Sequence, residues 1–149
     1  MDVEKVNHVR LHVIRTAMDG QGVPSASLTA TALGISEEQA VDAYRQLAEG
    51  HVYVLEPGDP TRLRMANPFS AVRTAHEVKA RGKSYYGNCI WDALGIVSLL
   101  GGSGEVHTSC PDCGDALTLA VSGRKLVREE GVVHFSVPSA RSWDDIIFT

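Results

Sequence analysis

The apolar residues of this chain change period at Gly50, and that change divides what the chain can become. Before it, Val6, Val9, Val13, Ile14 and Ala17 recur at helical spacing, so a first helix is expected over residues 6–17, closed by Gly20 and Gly22. A short second helix is expected over residues 27–33, broken by Gly34. Ser36-Glu37-Glu38-Gln39 then has the form of a capping box, with Ser36 as N-cap and Gln39 three positions on. It opens a third helix that runs to Glu49 with Ala40, Ala43, Tyr44 and Leu47 as its inward stripe. Gly50 stands where a helix C-terminus wants a residue with φ > 0. After Gly50 the pattern alternates. Residues 51–55 and 61–65 read as two strands joined by the turn Glu56-Pro57-Gly58-Asp59-Pro60.

Three helices followed by a hairpin resemble a winged helix-turn-helix, and this lobe is assigned to residues 1–67. That shape usually means DNA, but the charge opposes it. The third helix carries Glu37, Glu38, Asp42 and Glu49 against a single Arg45. The lobe as a whole holds six Lys or Arg and nine Asp or Glu, the opposite of the basic footprint that phosphate contact requires. Arg62 and Arg64 on the hairpin are the main counterweight. No nucleic-acid partner is expected.

Asn67-Pro68-Phe69 is the expected boundary, and residues 68–149 form a second lobe. It opens on a hairpin, residues 74–79 and 84–86, turned through Arg81-Gly82-Lys83. An apolar helix carrying Cys89 and Asp92 follows and stops at Gly101-Gly102-Ser103-Gly104. Residues 106–109, 116–121 and 132–137 read as strands, separated by Cys110-Pro111-Asp112-Cys113-Gly114 and Ser122-Gly123-Arg124-Lys125. The expected class is therefore α+β, with a mostly antiparallel sheet in the second lobe. Trp143-Asp144-Asp145-Ile146-Ile147-Phe148-Thr149 is apolar enough to suggest an element that packs or continues.

With 149 residues, 44% of them hydrophobic, the chain can bury a core without staples. A net charge of −4 argues against a general polyanion binder. No apolar run approaches the roughly 20 residues of a membrane span, and residues 1–5 carry no signal-peptide apolar region, so a cytoplasmic location is expected. Three cysteines do not make a secreted disulfide framework and are better read as free thiols or metal ligands. Composition does not bear on the oligomeric state.

The residues most able to carry chemistry are Cys89 and Asp92. Three positions apart on a helix, they share a face, so a thiol and a carboxyl group can converge on one bound atom. Read blandly, Cys89 is a small buried hydrophobe and Asp92 a local helix contact. Read functionally, the carboxylate accepts the thiol proton and later returns it to a leaving group, which suits a soft metal captured by sulfur. Trp91, Leu94, Ile96, Val97, Leu99 and Leu100 place the helix in a core, where a carboxylate asks for an explanation. Cys110 and Cys113 form a separate Cys-x-x-Cys turn, a weaker thiol-metal candidate. Structural zinc there would need two more ligands, with Cys89, His107 or His134 the possible donors. The turn also lacks the strand-to-helix setting of redox motifs. His107, between Val106 and Thr108, reads as a satisfied strand histidine.

Tyr86-Gly87-Asn88-Cys89-Ile90-Trp91-Asp92-Ala93-Leu94, the Gly-rich loop after it, the strand ending Thr108-Ser109-Cys110 and the strand Leu117-Thr118-Leu119-Ala120-Val121 resemble the alkylmercury (organomercurial) lyase family. The resemblance covers nearly the whole chain, since that family also sets a winged-helix-like lobe before its catalytic lobe. It implies that Cys89 is the first catalytic cysteine and Asp92 the catalytic aspartate, and that Cys110 lies outside the essential set. It implies protonolysis of R–Hg⁺ with mercury as substrate and product ion and no organic cofactor. It also implies a second catalytic cysteine after a Val-Pro strand, near where Phe148-Thr149 ends this chain, and none of the three cysteines maps to it. Either the chain is part of a longer protein, or half of the dithiol pair is lost. Cys113 could substitute only by folding back over Cys89. The alternatives to a lyase are a non-enzymatic soft-metal or organometal binder and a winged-helix metal-responsive regulator.

Overall fold

The structure, a computed structural model, describes residues 2–129 and 131–147, and the chain divides into two compact units between Val72 and Arg73. In the first unit three helices, α1 (Val3–Met18), α2 (Ala26–Leu33) and α3 (Glu37–Glu49), precede a three-stranded antiparallel sheet. Its strands are β1 (Tyr53–Glu56), β2 (Asp59–Ala66) and β3 (Phe69–Ser70), in the order β1-β2-β3. Because Phe69 pairs with Ala66, the first unit runs past the Asn67-Pro68 boundary read from sequence.

Each helix begins on a side chain that satisfies an orphan amide. Asp2 caps α1, Ser25 caps α2, and Ser36 with Gln39 completes the expected capping box on α3. The α3 stripe of Ala40, Ala43, Tyr44 and Leu47 is buried against Val6, Val9 and Val13 of α1 and Ala26 and Ala30 of α2. Two buried tyrosines fix this core. The Tyr44 hydroxyl donates to the Pro24 carbonyl at 2.9 Å and lies 2.7 Å from the Thr29 hydroxyl; the Tyr53 hydroxyl donates to the Arg10 carbonyl at 2.9 Å. Burial pushes the Tyr44 phenol up to about 12. Glu37, Glu38, Asp42 and Glu49 all face solvent. One local expectation fails: Gly50 ends α3 at φ −79°, and the positive φ falls on His51 at 56°. The Gly50 amide still bonds back to the Gln46 carbonyl, so the reversal comes one residue later.

The second unit is a five-stranded antiparallel sheet with one helix on it. The strands β4 (Glu77–Ala80), β5 (Lys83–Tyr86), β6 (Gly104–Ser109), β7 (Ala116–Ser122) and β8 (Lys125–Arg128) lie in the order β5-β4-β6-β7-β8. The helix α4 (Ile90–Leu99) packs on β4 and β6. Its Ala93, Ile96 and Val97, with Leu100, are buried alongside Val78, Val106 and Leu119 of the sheet. The helix is less immersed than its composition suggests, since Trp91 is 63% and Leu99 45% exposed. It covers one sheet face and turns its other side to water.

The strand expected over residues 132–137 does not form. Gly123 and Arg124 both take positive φ, at 55° and 65°, the backbone of a two-residue hairpin turn. The chain therefore resumes pairing at once, Lys125 opposite Ser122 and Leu126 opposite Val121, and the edge strand is β8. Val132, Val133 and Phe135 are exposed. A 3-10 helix, Ser139–Asp145, follows. Of the apolar tail read from sequence, Phe148 and Thr149 lie outside the described residues. Among the described residues no helix is long and apolar enough to cross a membrane.

Candidate active site

Cys89 and Asp92 meet at the start of α4, and the reason is local. Cys89 is the N-cap, with extended backbone (φ −135°, ψ 176°), and Asp92 is the third helical residue. The Asp92 amide donates to Cys89 Sγ at 3.5 Å, and the Cys89 thiol donates to Asp92 Oδ2 at 3.5 Å. The Asp92 carboxylate also accepts from the backbone amides of Cys89 and Asn88. This is the reciprocal pattern of a capping box with cysteine in the place of serine. One arrangement thus starts the helix and brings thiol and carboxyl together.

Both groups are half-buried and both shift toward their neutral forms. Burial is the main cause for Cys89, opposed by the Asp92 amide and reinforced by the Asp92 charge; its thiol is pushed up. Burial also raises the Asp92 carboxyl, against the pull of the Cys89 thiol and the two amides. A carboxylate raised in this way is a better proton acceptor than one in water, and it is already bonded to the proton it would take.

The loop before the helix leaves no slack. A Cβ built on Gly87 would lie 2.6 Å from the Ala93 amide nitrogen and 3.0 Å from the Cys89 carbonyl oxygen, so only glycine lets this backbone pass under α4. The Gly87 amide donates to the His76 carbonyl at 3.0 Å, and the Thr74 hydroxyl donates to the Gly87 carbonyl. Beside it, Arg73 Nε donates to the Tyr86 hydroxyl at 2.8 Å. Asn88 reaches in the other direction, its Nδ2 donating to the Ile146 carbonyl at 3.1 Å, which ties the segment after Ser139–Asp145 to the helix start. Trp91 and Phe135 meet edge to face, ring centroids 6.2 Å apart. Sequence reading passed over Gly87, Asn88 and Phe135 as site neighbours. Only Gly87 carried a local signal, a glycine just ahead of a helix cap.

The other candidates lie apart from this pair. Cys110 and Cys113 occupy the turn between β6 and β7, in hydrogen-bond contact with each other. The backbone amides of Cys113 and Asp112, with the Cys113 thiol, hold Cys110 below the usual thiol range. For Cys113 the Asp115 amide pulls down, but the bonds to Cys110 and the Asp115 carboxylate outweigh it and the thiol is raised. His107 is a strand residue, Nε2 at 3.1 Å from Glu105 Oε2 and Nδ1 at 3.5 Å from the Thr118 hydroxyl. His134 is exposed. Among the described residues no three His, Cys, Asp or Glu side chains converge on a common point, so neither pair gathers the donors of a four-coordinate zinc site.

The family model for alkylmercury lyase, MerB, matches residues 69–149, which include the whole of this site. No curated protein matches by sequence. Among solved structures, the crystal structure of the mercury-bound form of MerB2 is similar, with a TM-score of 0.68 and 20% sequence identity over 86% of this chain. At that identity the likeness concerns the fold. The chain spans 60% of that structure's length.

Proposed function

The chain belongs to the alkylmercury lyase family, and on that premise we propose that it captures an organomercurial cation, R–Hg⁺, on Cys89 and cleaves its carbon–mercury bond with a proton carried by Asp92. The observation that carries this reading is the thiol-to-carboxylate hydrogen bond, 3.5 Å from Cys89 Sγ to Asp92 Oδ2.

Capture forms an S–Hg bond and breaks the S–H bond of Cys89, whose proton passes along the existing hydrogen bond to Asp92. The carboxyl, raised by burial, holds that proton beside the metal-bound carbon. In the second step the Hg–C electron pair takes the proton, R–H leaves, and mercuric ion stays on sulfur. No redox change occurs and no organic cofactor is required. A second sulfur donor raises electron density on the metal and weakens the Hg–C bond. Cys110 and Cys113 are free thiols in the turn between β6 and β7, and in an assay an added monothiol supplies that donor. The amide groups at the start of α4 stabilise the carboxylate when the proton has left. The acidic exposed face of α3 weighs against a nucleic-acid partner, because phosphate contact relies on basic surface.

Phenylmercury is the test substrate. With excess monothiol the chain should release benzene; Cys89→Ser should release none, and Asp92→Asn should release none while phenylmercury still protects Cys89 from alkylation. Benzene release that survives Asp92→Asn undiminished would overturn the proton assignment.

A further inference from the structure

We propose that Cys110 and Cys113 form a second thiol site, separate from Cys89, that takes one soft two-coordinate cation of the mercuric type. The turn that carries them is closed twice by the backbone, the Cys110 amide donating to the Asp115 carbonyl at 2.9 Å and the Gly114 amide to the Cys110 carbonyl at 2.8 Å. Its ends are pinned by the pairing of Ser109 with Ala116 across β6 and β7. Within it the amides of Asp112 and Cys113 point at Cys110 Sγ, and the amide of Asp115 points at Cys113 Sγ. Amides converging on Cys110 favour its thiolate, the form that binds metal, whereas Cys113, raised by its bonds to Cys110 and the Asp115 carboxylate, gives up its proton as the metal binds.

The donor count selects the cation. Zinc asks for four ligands in a tetrahedron, and although the Asp115 carboxylate lies against the Cys113 thiol, among the described residues no three His, Cys, Asp or Glu side chains are grouped to hold a metal ion. A soft d¹⁰ ion that accepts two sulfurs is satisfied by the pair alone. Cys110 is partly exposed and Cys113 exposed, so the ion reaches them from solvent. Binding breaks two S–H bonds, forms two S–metal bonds and releases two protons to water, with no change of oxidation state. The second thiol acts intramolecularly, at an effective concentration of order millimolar, so a competing monothiol strips the ion far more slowly than from a lone cysteine.

The test uses the full chain carrying Cys89→Ser, which makes it independent of the lyase reading. Loaded with mercuric chloride and desalted in excess monothiol, this variant should keep one mercury per chain, and mercury should protect Cys110 and Cys113 together from alkylation. Adding Cys113→Ser should speed mercury loss by roughly 100-fold, with an unchanged circular dichroism spectrum because both thiols lie in a surface turn. Zinc chloride treated the same way should wash out. Retention unaffected by Cys113→Ser, no retention by the Cys89→Ser chain, or stable retention of zinc would each overturn the two-thiol assignment.

Discussion

A methyl group on Gly87 has nowhere to go: it would press on the Ala93 amide and the Cys89 carbonyl, both backbone, so the helix start itself must shift. Gly87→Ala should cost about 1–3 kcal/mol in urea unfolding, the usual range for overpacking. It should also speed alkylation of Cys89 by loosening its bonds to Asp92; an unchanged rate would detach the loop from the site. Tyr44→Phe strips the hydroxyl that bonds Pro24 and Thr29 in the buried core and should cost about 1–3 kcal/mol. His76 gives a pH dependence. Burial holds its imidazole below the ordinary value, while Nδ1 lies 2.8 Å from the Thr108 hydroxyl. Its folded pKa is depressed, so the unfolded chain binds more protons as pH drops below about 6.5, and stability falls through that window. His76→Gln should flatten the loss of urea midpoint between about pH 7 and pH 5 relative to the parent chain.

At the scale of elements, α4 acts as a one-sided cover for the sheet, and its two sides should respond differently to truncation. Ile96 is fully buried, so Ile96→Ala should cost about 2–5 kcal/mol. Leu99 is 45% exposed, and Leu99→Ala should stay within about 0.5 kcal/mol. Equal losses at the two positions would mean that the helix is buried on both sides. The hydrogen bond from Asn88 to Ile146 joins the helix start to the segment after the 3-10 helix. Asn88→Ala should therefore raise amide exchange around residues 139–147 while leaving β6 and β7 protected, because the strand ladder does not depend on that contact.

For the molecule as a whole, charge is the property that reaches farthest. The net charge of −4 and the acids along exposed α3 predict no duplex-DNA binding with the steep negative salt slope of phosphate neutralisation. A gel shift at low salt that fades linearly in log salt would contradict this. The chain divides into two units with separate cores, α3 against α1 and α2 in one and α4 against β4 and β6 in the other.

Where order along the chain was enough, the residues determined the outcome. The capping box at Ser36, the α3 stripe and the strands through Val106 and Leu119 formed where spacing placed them, because helix and strand periods are local geometry. Cys89 and Asp92 were legible as a pair for the same reason, though as N-cap and third residue of a helix rather than as two mid-helix neighbours. Tertiary structure decided the rest. Residues 132–137 are apolar enough for a strand, yet the tight Gly123-Arg124 turn gave the sheet edge to Lys125–Arg128. Trp91 and Leu99 are as apolar as Ile96, but a helix lying on one sheet can bury only one face. Asn88 meets Ile146 across 58 residues of chain, a contact that no spacing rule reaches, since it depends on where folding returns the backbone.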